Sequence, residues 1–116
     1  MNDVEKPATA AEANRKEIVD LFLRRTLEEV EQMRRGVPAL IQGDPAAWQS
    51  LRFSAQRISG IARTLDLGIL SACAKELAEL TDEKFAGAKL DAHFLLSVTS
   101  AIEMVAIELK RLSTGR

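Results

Sequence analysis

Hydrophobic residues recur every three or four positions along most of the chain, which is the period of an amphipathic α-helix. The most regular stripe lies between residues 45 and 65, where the spacing alternates between three and four: Trp48, Leu51, Ala55, Ile58, Ala62 and Leu65. This alternation is typical of the buried seam of a helix bundle. Apolar and polar residues nowhere alternate with a period of two, so we predict no β-strand.

Three further apolar stripes predict three more helices. The first helix, residues 10–42, has apolar residues at helical spacing: Ile18, Leu23, Leu27, Val30, Val37 and Leu40. The helix over residues 68–83 is expected to face inward with Leu70, Cys73, Ala74, Leu77 and Leu80. The last helix, residues 91–113, has a buried stripe of Phe94, Val98, Ala101, Val105, Leu109 and Leu112.

Local signals mark where these helices begin and end. Gly43 can end one helix and Asp44 can cap the next. Pro45 suits a first helical position, because the N–H that it lacks has no intrahelical partner there. Asp91 can cap the last helix in the same way.

Pro38 interrupts the first predicted helix. It cannot donate a hydrogen bond to the carbonyl of Arg34, so we expect that helix to be kinked or split near Gly36. Four amphipathic helices with short connections predict an all-α fold, an antiparallel up-down four-helix bundle. We divide the chain into a flexible N-terminus, residues 1–9, and a single domain, residues 10–113.

Composition and charge exclude several classes of function. The formal net charge of −1 gives no overall attraction to nucleic acid or to an anionic membrane. No apolar run approaches the roughly 18 residues that span a bilayer, and the start of the chain lacks the features of a signal peptide. The one cysteine, Cys73, suits a reducing compartment. We expect a cytoplasmic protein that binds neither nucleic acid nor membrane.

The second predicted helix has a side without acidic residues. Off its buried stripe, a set of polar and small residues shares one exposed face: Arg52, Gln56, Arg57, Ser59, Gly60 and Arg63. The acids cluster in the first and third helices instead: Glu28, Glu29, Glu31, Glu76, Glu79, Asp82 and Glu83. A glycine inside a helix costs about 1 kcal/mol relative to alanine. Gly60 on an exposed face therefore indicates that another molecule or segment approaches closely there.

This arrangement resembles the histidine-containing phosphotransfer (HPt) domain of bacterial phosphorelays, over about residues 17–112. That family is a four-helix bundle with an exposed histidine on a central helix, in a pattern close to Ala-His-x-Leu-Lys-Gly. Here the chain reads Ala-Gln-Arg-Ile-Ser-Gly over residues 55–60, after the similar lead "GDPAAWQSL". The resemblance implies that this face docks a response-regulator receiver domain, which has acids around its phosphorylated aspartate, or a histidine kinase.

Departures from the family pattern change the chemistry that the resemblance implies. Gln56 stands at the phosphoacceptor position and Ser59 stands where the family has lysine. Asp66 stands where the family's later glycine is expected, with Gly68 two residues on. An imidazole nitrogen has a free lone pair, whereas the lone pair of an amide nitrogen is delocalised into its carbonyl. We therefore expect a monomeric adaptor or regulator that takes no phosphoryl group, has no enzymatic activity and needs no cofactor.

Two alternatives stay open. His93, the only histidine, lies in "AHFLLS" and is the one other candidate acceptor. In an up-down bundle it would lie roughly 13 Å from Gln56 along the bundle axis, given the helical rise of 1.5 Å per residue. The chain can also be a plain structural or dimerising bundle.

The sequence has no metal-binding His-x-x-x-His or Glu-x-x-His pair, so we predict no metal site.

Overall fold

The computed structural model describes residues 9–115, and five helices make up most of that range. The helices are α1 (Ala10–Arg35), α2 (Val37–Ile41), α3 (Pro45–Thr64), α4 (Gly68–Phe85) and α5 (Ala92–Thr114). No strand occurs among the described residues, and the all-α prediction is confirmed. Residues 1–8 of the predicted flexible N-terminus lie outside the described range. Thr9 caps α1, because its hydroxyl accepts the backbone N–H of Glu12 at 3.2 Å.

The first predicted helix is divided into α1 and α2 at Gly36. Pro38 has no N–H to donate to the carbonyl of Arg34, and the N–H of Gly36 bonds back to the carbonyls of Gln32 and Met33 at 3.0 and 3.1 Å. Pro38 then lies in the first turn of α2, where a missing donor leaves no partner unsatisfied. The expected kink or split is thus a short interruption at Gly36, and it gives five helices in place of four.

The predicted starts of α3 and α5 are confirmed, and so is the predicted end of the helix before α3. Gly43 takes a positive φ of 77°, the left-handed conformation that ends a helix. The carboxylate of Asp44 accepts the N–H of Ala46 in the first turn of α3 at 3.0 Å. Asp91 does the same for α5, where it accepts the N–H of Phe94 at 2.8 Å. Each of these boundaries is therefore set by one residue next to the helix that it starts or ends.

One hydrophobic core lies between the four long helices in a bundle-like packing. α3 packs most extensively on α4, α4 packs on α5 and α5 packs on α1, whereas α1 touches α3 only sparingly. Trp48 is fully buried, and its indole N–H donates to the carbonyl of Leu40 at 3.1 Å. This bond fastens α2 to α3. The Trp48 ring also lies 6.0 Å from the ring of Phe94 in α5.

The buried face of α1 differs from the predicted one. Ile18 and Leu27, which the sequence pattern placed on the core side, are 55% and 38% exposed. The core side of α1 has the same alternating spacing as α3, through Val19, Leu23, Thr26, Val30 and Met33. Burial of Thr26 is tolerated because its hydroxyl donates to the carbonyl of Phe22 at 2.6 Å.

α5 is long and apolar enough, by length and composition alone, to cross a membrane. A helix in the core of a bundle meets the same criteria. Eight side chains of α5 are buried: Phe94, Val98, Ala101, Ile102, Val105, Ala106, Glu108 and Leu109. The one acid among them, Glu108, pairs with Arg111 one turn later at 2.6 Å. α5 packs against two neighbours, α1 and α4.

Candidate docking surface on helix α3

Gln56 and Gly60 lie one turn apart on the outward side of α3, and both are exposed. A Cβ atom added to Gly60 would have no other atom within 4 Å, so the packing of the described residues does not require a glycine there. Glycine in a helix interior costs about 1 kcal/mol relative to alanine. The close approach expected from the sequence is therefore not made by any described residue of this chain.

Phe53 extends this outward side by one turn. Its side chain is 59% exposed, and it precedes Gln56 by three residues and Arg57 by four, so the three side chains are neighbours on the helix surface. The sequence analysis did not include Phe53 in the candidate site. Its position off the buried stripe of α3 was the available signal.

Arg52 lies toward α4 and is held there. Its Nε is 3.0 Å from Oδ1 of Asp82, and its guanidinium carbon lies 5.0 Å from the centre of the Phe85 ring. Arg52 therefore contributes first to the contact between α3 and α4. The sequence had placed it on the exposed docking face.

Arg57 lies on the other side of α3 and forms an ion pair with Glu29 of α1, whose side chain is only 17% exposed. Acids that are separate from the arginines in sequence are thus brought to two of them by folding, because α1 and α4 flank α3. Of the three predicted arginines, Arg63 alone has no ion pair or side-chain hydrogen bond to another described residue. It is the arginine most available to a partner.

Ser59 faces α4 and exchanges hydrogen bonds with Ser71. The Ser59 hydroxyl donates to the carbonyl of Ser71 at 3.1 Å, and the Ser71 hydroxyl donates to the carbonyl of Ser59 at 2.9 Å. Two small side chains allow the two helices to approach closely here. At the position where the HPt pattern has lysine, this chain has a helix–helix contact.

A groove of about 530 Å³, the α3/α4 groove, runs beside Gln56 on this side. From α3 it is lined by Gln56, Ser59, Gly60 and Arg63. From α4 it is lined by Gly68, Ser71, Ala72, Lys75 and Ala78. The charged lining residues are two cations, Arg63 and Lys75. Lys75 was missed by the sequence analysis, because neither helix alone indicates which residues of the other lie opposite it.

Two depressions follow the contact between α3 and the first two helices. The α1/α3 groove, of about 360 Å³, is lined by Ile18, Phe22, Gln56, Arg57, Gly60, Ile61, Thr64 and Leu65. The α2/α3 cleft, of about 110 Å³, is lined by Glu29, Gln32, Met33, Gly36, Leu40, Ala47, Ser50, Leu51 and Ser54. The Arg57–Glu29 ion pair joins the two, since Arg57 lines the first and Glu29 lines the second. The α1/α3 groove is mainly apolar.

The connection from α3 to α4 contains the one described non-glycine residue with a positive φ, Asp66 at 61°. The N–H of Leu67 bonds back to the carbonyl of Ala62 at 2.8 Å, so the turn closes α3 in a left-handed cap. Arg15 of α1 donates to the free carbonyl of Leu65 at 2.6 Å. Asp66 therefore occupies a backbone conformation that favours glycine, at the position where the HPt pattern leads us to expect one.

The remaining candidate groups do not join this surface. His93 is exposed in the first turn of α5 and lines neither groove at Gln56. Burial raises the pKa of the Cys73 thiol, and the nearby carboxylates of Glu108 and Glu76 raise it further. The thiol is therefore protonated and a poor nucleophile near neutral pH. Within residues 9–115, no three His, Cys, Asp or Glu side chains form a group that could hold a metal ion.

Comparison with known proteins adds no relative to this picture: no family model, no curated protein and no solved structure matches the chain. The resemblance to HPt domains rests on the sequence pattern of residues 55–60 and on the helical elements around it.

Proposed function

We propose that this chain is an HPt-like signalling module that binds a response-regulator receiver domain or a histidine kinase and accepts no phosphoryl group. One observation carries the proposal. Position 56 is an exposed glutamine on the outward side of α3, one turn before a glycine that the packing of the described residues does not require. Under this proposal the chain retains the docking surface of the family. It does not retain the phosphotransfer chemistry, because a carboxamide nitrogen is not a nucleophile.

The helix packing supports the up-down four-helix arrangement that the resemblance implies. Four long helices share one core in the contact order α1, α5, α4, α3, and α2 is a short continuation of the first helix. The connections between α3 and α4 and between α4 and α5 are short, which is typical of antiparallel neighbours in a bundle.

The surface around Gln56 has the two kinds of contact that a receiver domain would use. Exposed Phe53, Ile18 and Ile61 offer apolar area on the α1 side. Arg63 and Lys75 offer positive charge on the α4 side, where they suit the acids that receiver domains carry around the phosphorylated aspartate. Transient contacts bury little area and depend on a few central groups. We therefore expect a monomeric, cytoplasmic adaptor that competes with or scaffolds a phosphorelay.

Titration of receiver domains from the same genome, with and without phosphorylation, tests the proposal. Gly60→Leu places a side chain at the centre of the surface and is expected to weaken binding tenfold or more. Ser100→Leu, at an exposed position of α5, is the matched control and should change the affinity less than twofold. If both variants change the affinity equally, the docking surface does not lie on α3, and a plain structural bundle is favoured.

The same incubation tests the chemistry. Wild-type protein should take no acid-labile label from a phosphorylated receiver, and Gln56→His is the variant expected to gain one. Stable labelling of the wild type would contradict the proposal, and loss of that label in His93→Ala would place the acceptor at His93.

Gly60→Ala separates stability from binding. Alanine has room at this position and is the better helix former, so the free energy of unfolding should rise by about 1 kcal/mol. The affinity for the receiver domain should fall at the same time, because the added methyl group holds the partner away. Chemical denaturation and titration of the same preparation measure both effects.

A further inference from the structure

We infer that the α3/α4 groove is a binding site for a phosphate-type oxyanion, which it holds without reacting with it. This inference goes beyond the proposed function. It depends on the groove alone and needs neither a receiver domain nor a kinase.

The first argument is charge. Arg63 lines the groove from α3 and Lys75 lines it from α4, so two cations border one opening. Neither has an ion pair or side-chain hydrogen bond to another described residue. The arginines elsewhere on α3 differ, since Arg52 is held by Asp82 and Arg57 by Glu29. Two unneutralised cations at one groove raise the local concentration of anions.

The second argument is the absence of competing acids among the residues that line the groove. None of these lining residues is Asp or Glu. The two nearest acids along α4, Glu76 directly after Lys75 and Glu79 one turn later, do not line the groove. An anion that enters therefore meets no carboxylate among the lining residues.

The third argument is the supply of hydrogen-bond donors. The Gln56 carboxamide makes no side-chain hydrogen bond to another described residue, and it offers two N–H donors. Arg63 adds a planar fork that suits a tetrahedral oxyanion, and Lys75 adds an ammonium group. The hydroxyls of Ser59 and Ser71 already donate to each other's carbonyls, so the donors for the anion come from the rim of the groove.

The fourth argument is space. A Cβ atom added to either Gly60 or Gly68 would meet nothing within 4 Å, so the groove is open at both glycines. The three donor side chains, Gln56, Arg63 and Lys75, line this open groove together. Because Gln56 cannot take up a phosphoryl group, the complex is one of reversible binding only.

The shared chemistry fits two sources, free phosphate and a phosphorylated side chain. ¹H–¹⁵N NMR titrations with inorganic phosphate and with O-phosphoserine distinguish them, with sodium chloride at equal ionic strength as the control for screening. We expect saturable shifts of the Gln56 side-chain amide and of the Gly60 and Gly68 backbone amides. Tighter binding of O-phosphoserine assigns the groove to phosphorylated side chains, and tighter binding of phosphate assigns it to the free anion.

Charge-neutral variants locate the site. Lys75→Gln and Arg63→Gln should each raise the dissociation constant about threefold to fivefold, the effect of one partly exposed ion pair. Gln56→Glu keeps the shape of the side chain, places a negative charge beside the anion and should raise the dissociation constant more than tenfold. Lys110→Gln makes the same change of charge at an exposed position of α5 outside the groove and should leave it unchanged.

Three results would overturn the inference. The first is shifts that do not saturate, and the second is shifts that chloride reproduces at equal ionic strength. The third is a Lys110→Gln effect as large as that of Lys75→Gln. The melting temperature of each variant shows that the fold is retained, since none of the four substituted side chains is in the core. Receiver binding is not measured here, so failure of this inference leaves the proposed function to its own test.

Discussion

Helix α3 meets α4 and α1 in two different ways. Toward α4 the contact is extensive, and Ser59 and Ser71 exchange hydrogen bonds across it. Toward α1 the contact is sparse, and the Arg57–Glu29 ion pair lies between the α1/α3 groove and the α2/α3 cleft. Small residues thus bring α4 close to α3, and the α3/α4 groove beside them is cationic. Larger residues keep α1 farther from α3, and the α1/α3 groove is mainly apolar. Gln56 and Gly60 belong to both grooves.

The largest expected effect is from a matched pair of substitutions on α3. Ser59→Leu inserts a large side chain into the close contact with α4 and removes the hydrogen bond that the Ser59 hydroxyl donates to the carbonyl of Ser71, so it should lower the free energy of unfolding by about 2–3 kcal/mol. Ser54→Leu places the same side chain at the α2/α3 cleft, where there is room, and should change stability by less than about 0.5 kcal/mol. Urea denaturation of the two variants gives both values. Equal losses would mean that the two contacts of α3 are packed alike.

The next effect concerns the ion pair that links α1 to α3. Arg57→Gln leaves the mostly buried Glu29 carboxylate without its partner, and we expect a loss of about 1 kcal/mol. Arg52→Gln on the other side should lose less, about 0.5 kcal/mol, because the Asp82 carboxylate is half exposed and water can replace the arginine. Denaturation at low and high salt measures both variants. A larger loss for Arg52→Gln would reverse this ranking.

A smaller effect, of opposite sign, is expected in the turn between α3 and α4. Asp66→Gly should raise the free energy of unfolding by about 0.5–1 kcal/mol, because glycine adopts the positive φ without strain. The ion pair that it removes, with Arg15, is worth little, since the Asp66 side chain is 89% exposed. Asp66→Ala removes the same pair without relieving the backbone and should destabilise. Thermal unfolding of both variants measures the two changes in stability.

The smallest effect tests how α1 is held by α5. Arg34 donates to both carboxylate oxygens of Glu103 at 2.8 Å and lowers the pKa of that carboxyl group. A lowered pKa stabilises the fold above the pKa of the unfolded chain, near pH 4.3, and the gain is lost as the pH falls through the folded value. In Arg34→Gln the stability that is lost on acidification should be smaller by a few tenths of a kcal/mol. The effect is small because both side chains of the ion pair are partly exposed. Denaturation between pH 3 and pH 7 measures it, and an unchanged pH profile would contradict the assignment.

The helix ends could be predicted because their signals are local. Gly43, Asp44 and Asp91 act on atoms within a few residues of themselves, so a single sequence contains the whole interaction. The buried stripe of α3 was predictable for the same reason, since one helix has only one apolar side that the pattern can mark. Both predictions needed no knowledge of which helix packs against which.

Features that depend on neighbouring helices could not be predicted. The apolar residues of α1 occur on more than one side, so contact with α5 and α3 decides that Ile18 is exposed and that Thr26 is buried. The partners of Arg52 and Arg57 lie on α4 and α1, 30 and 28 residues away in sequence. Lys75 joins Gln56 at one groove only after α4 has folded against α3. The charge of the α3 surface is therefore a property of the assembled bundle.

The Gln56 carboxamide neither titrates near neutral pH nor forms a bond to phosphorus. A partner that binds over it departs in the state in which it arrived, so occupancy depends on two concentrations and one dissociation constant. Under the proposed function the module acts by stoichiometry, in proportion to its copy number relative to that of its partner. Its influence would grow steadily with expression until the partner is fully bound, whereas a transfer catalyst reaches its full effect at a small fraction of the partner's abundance.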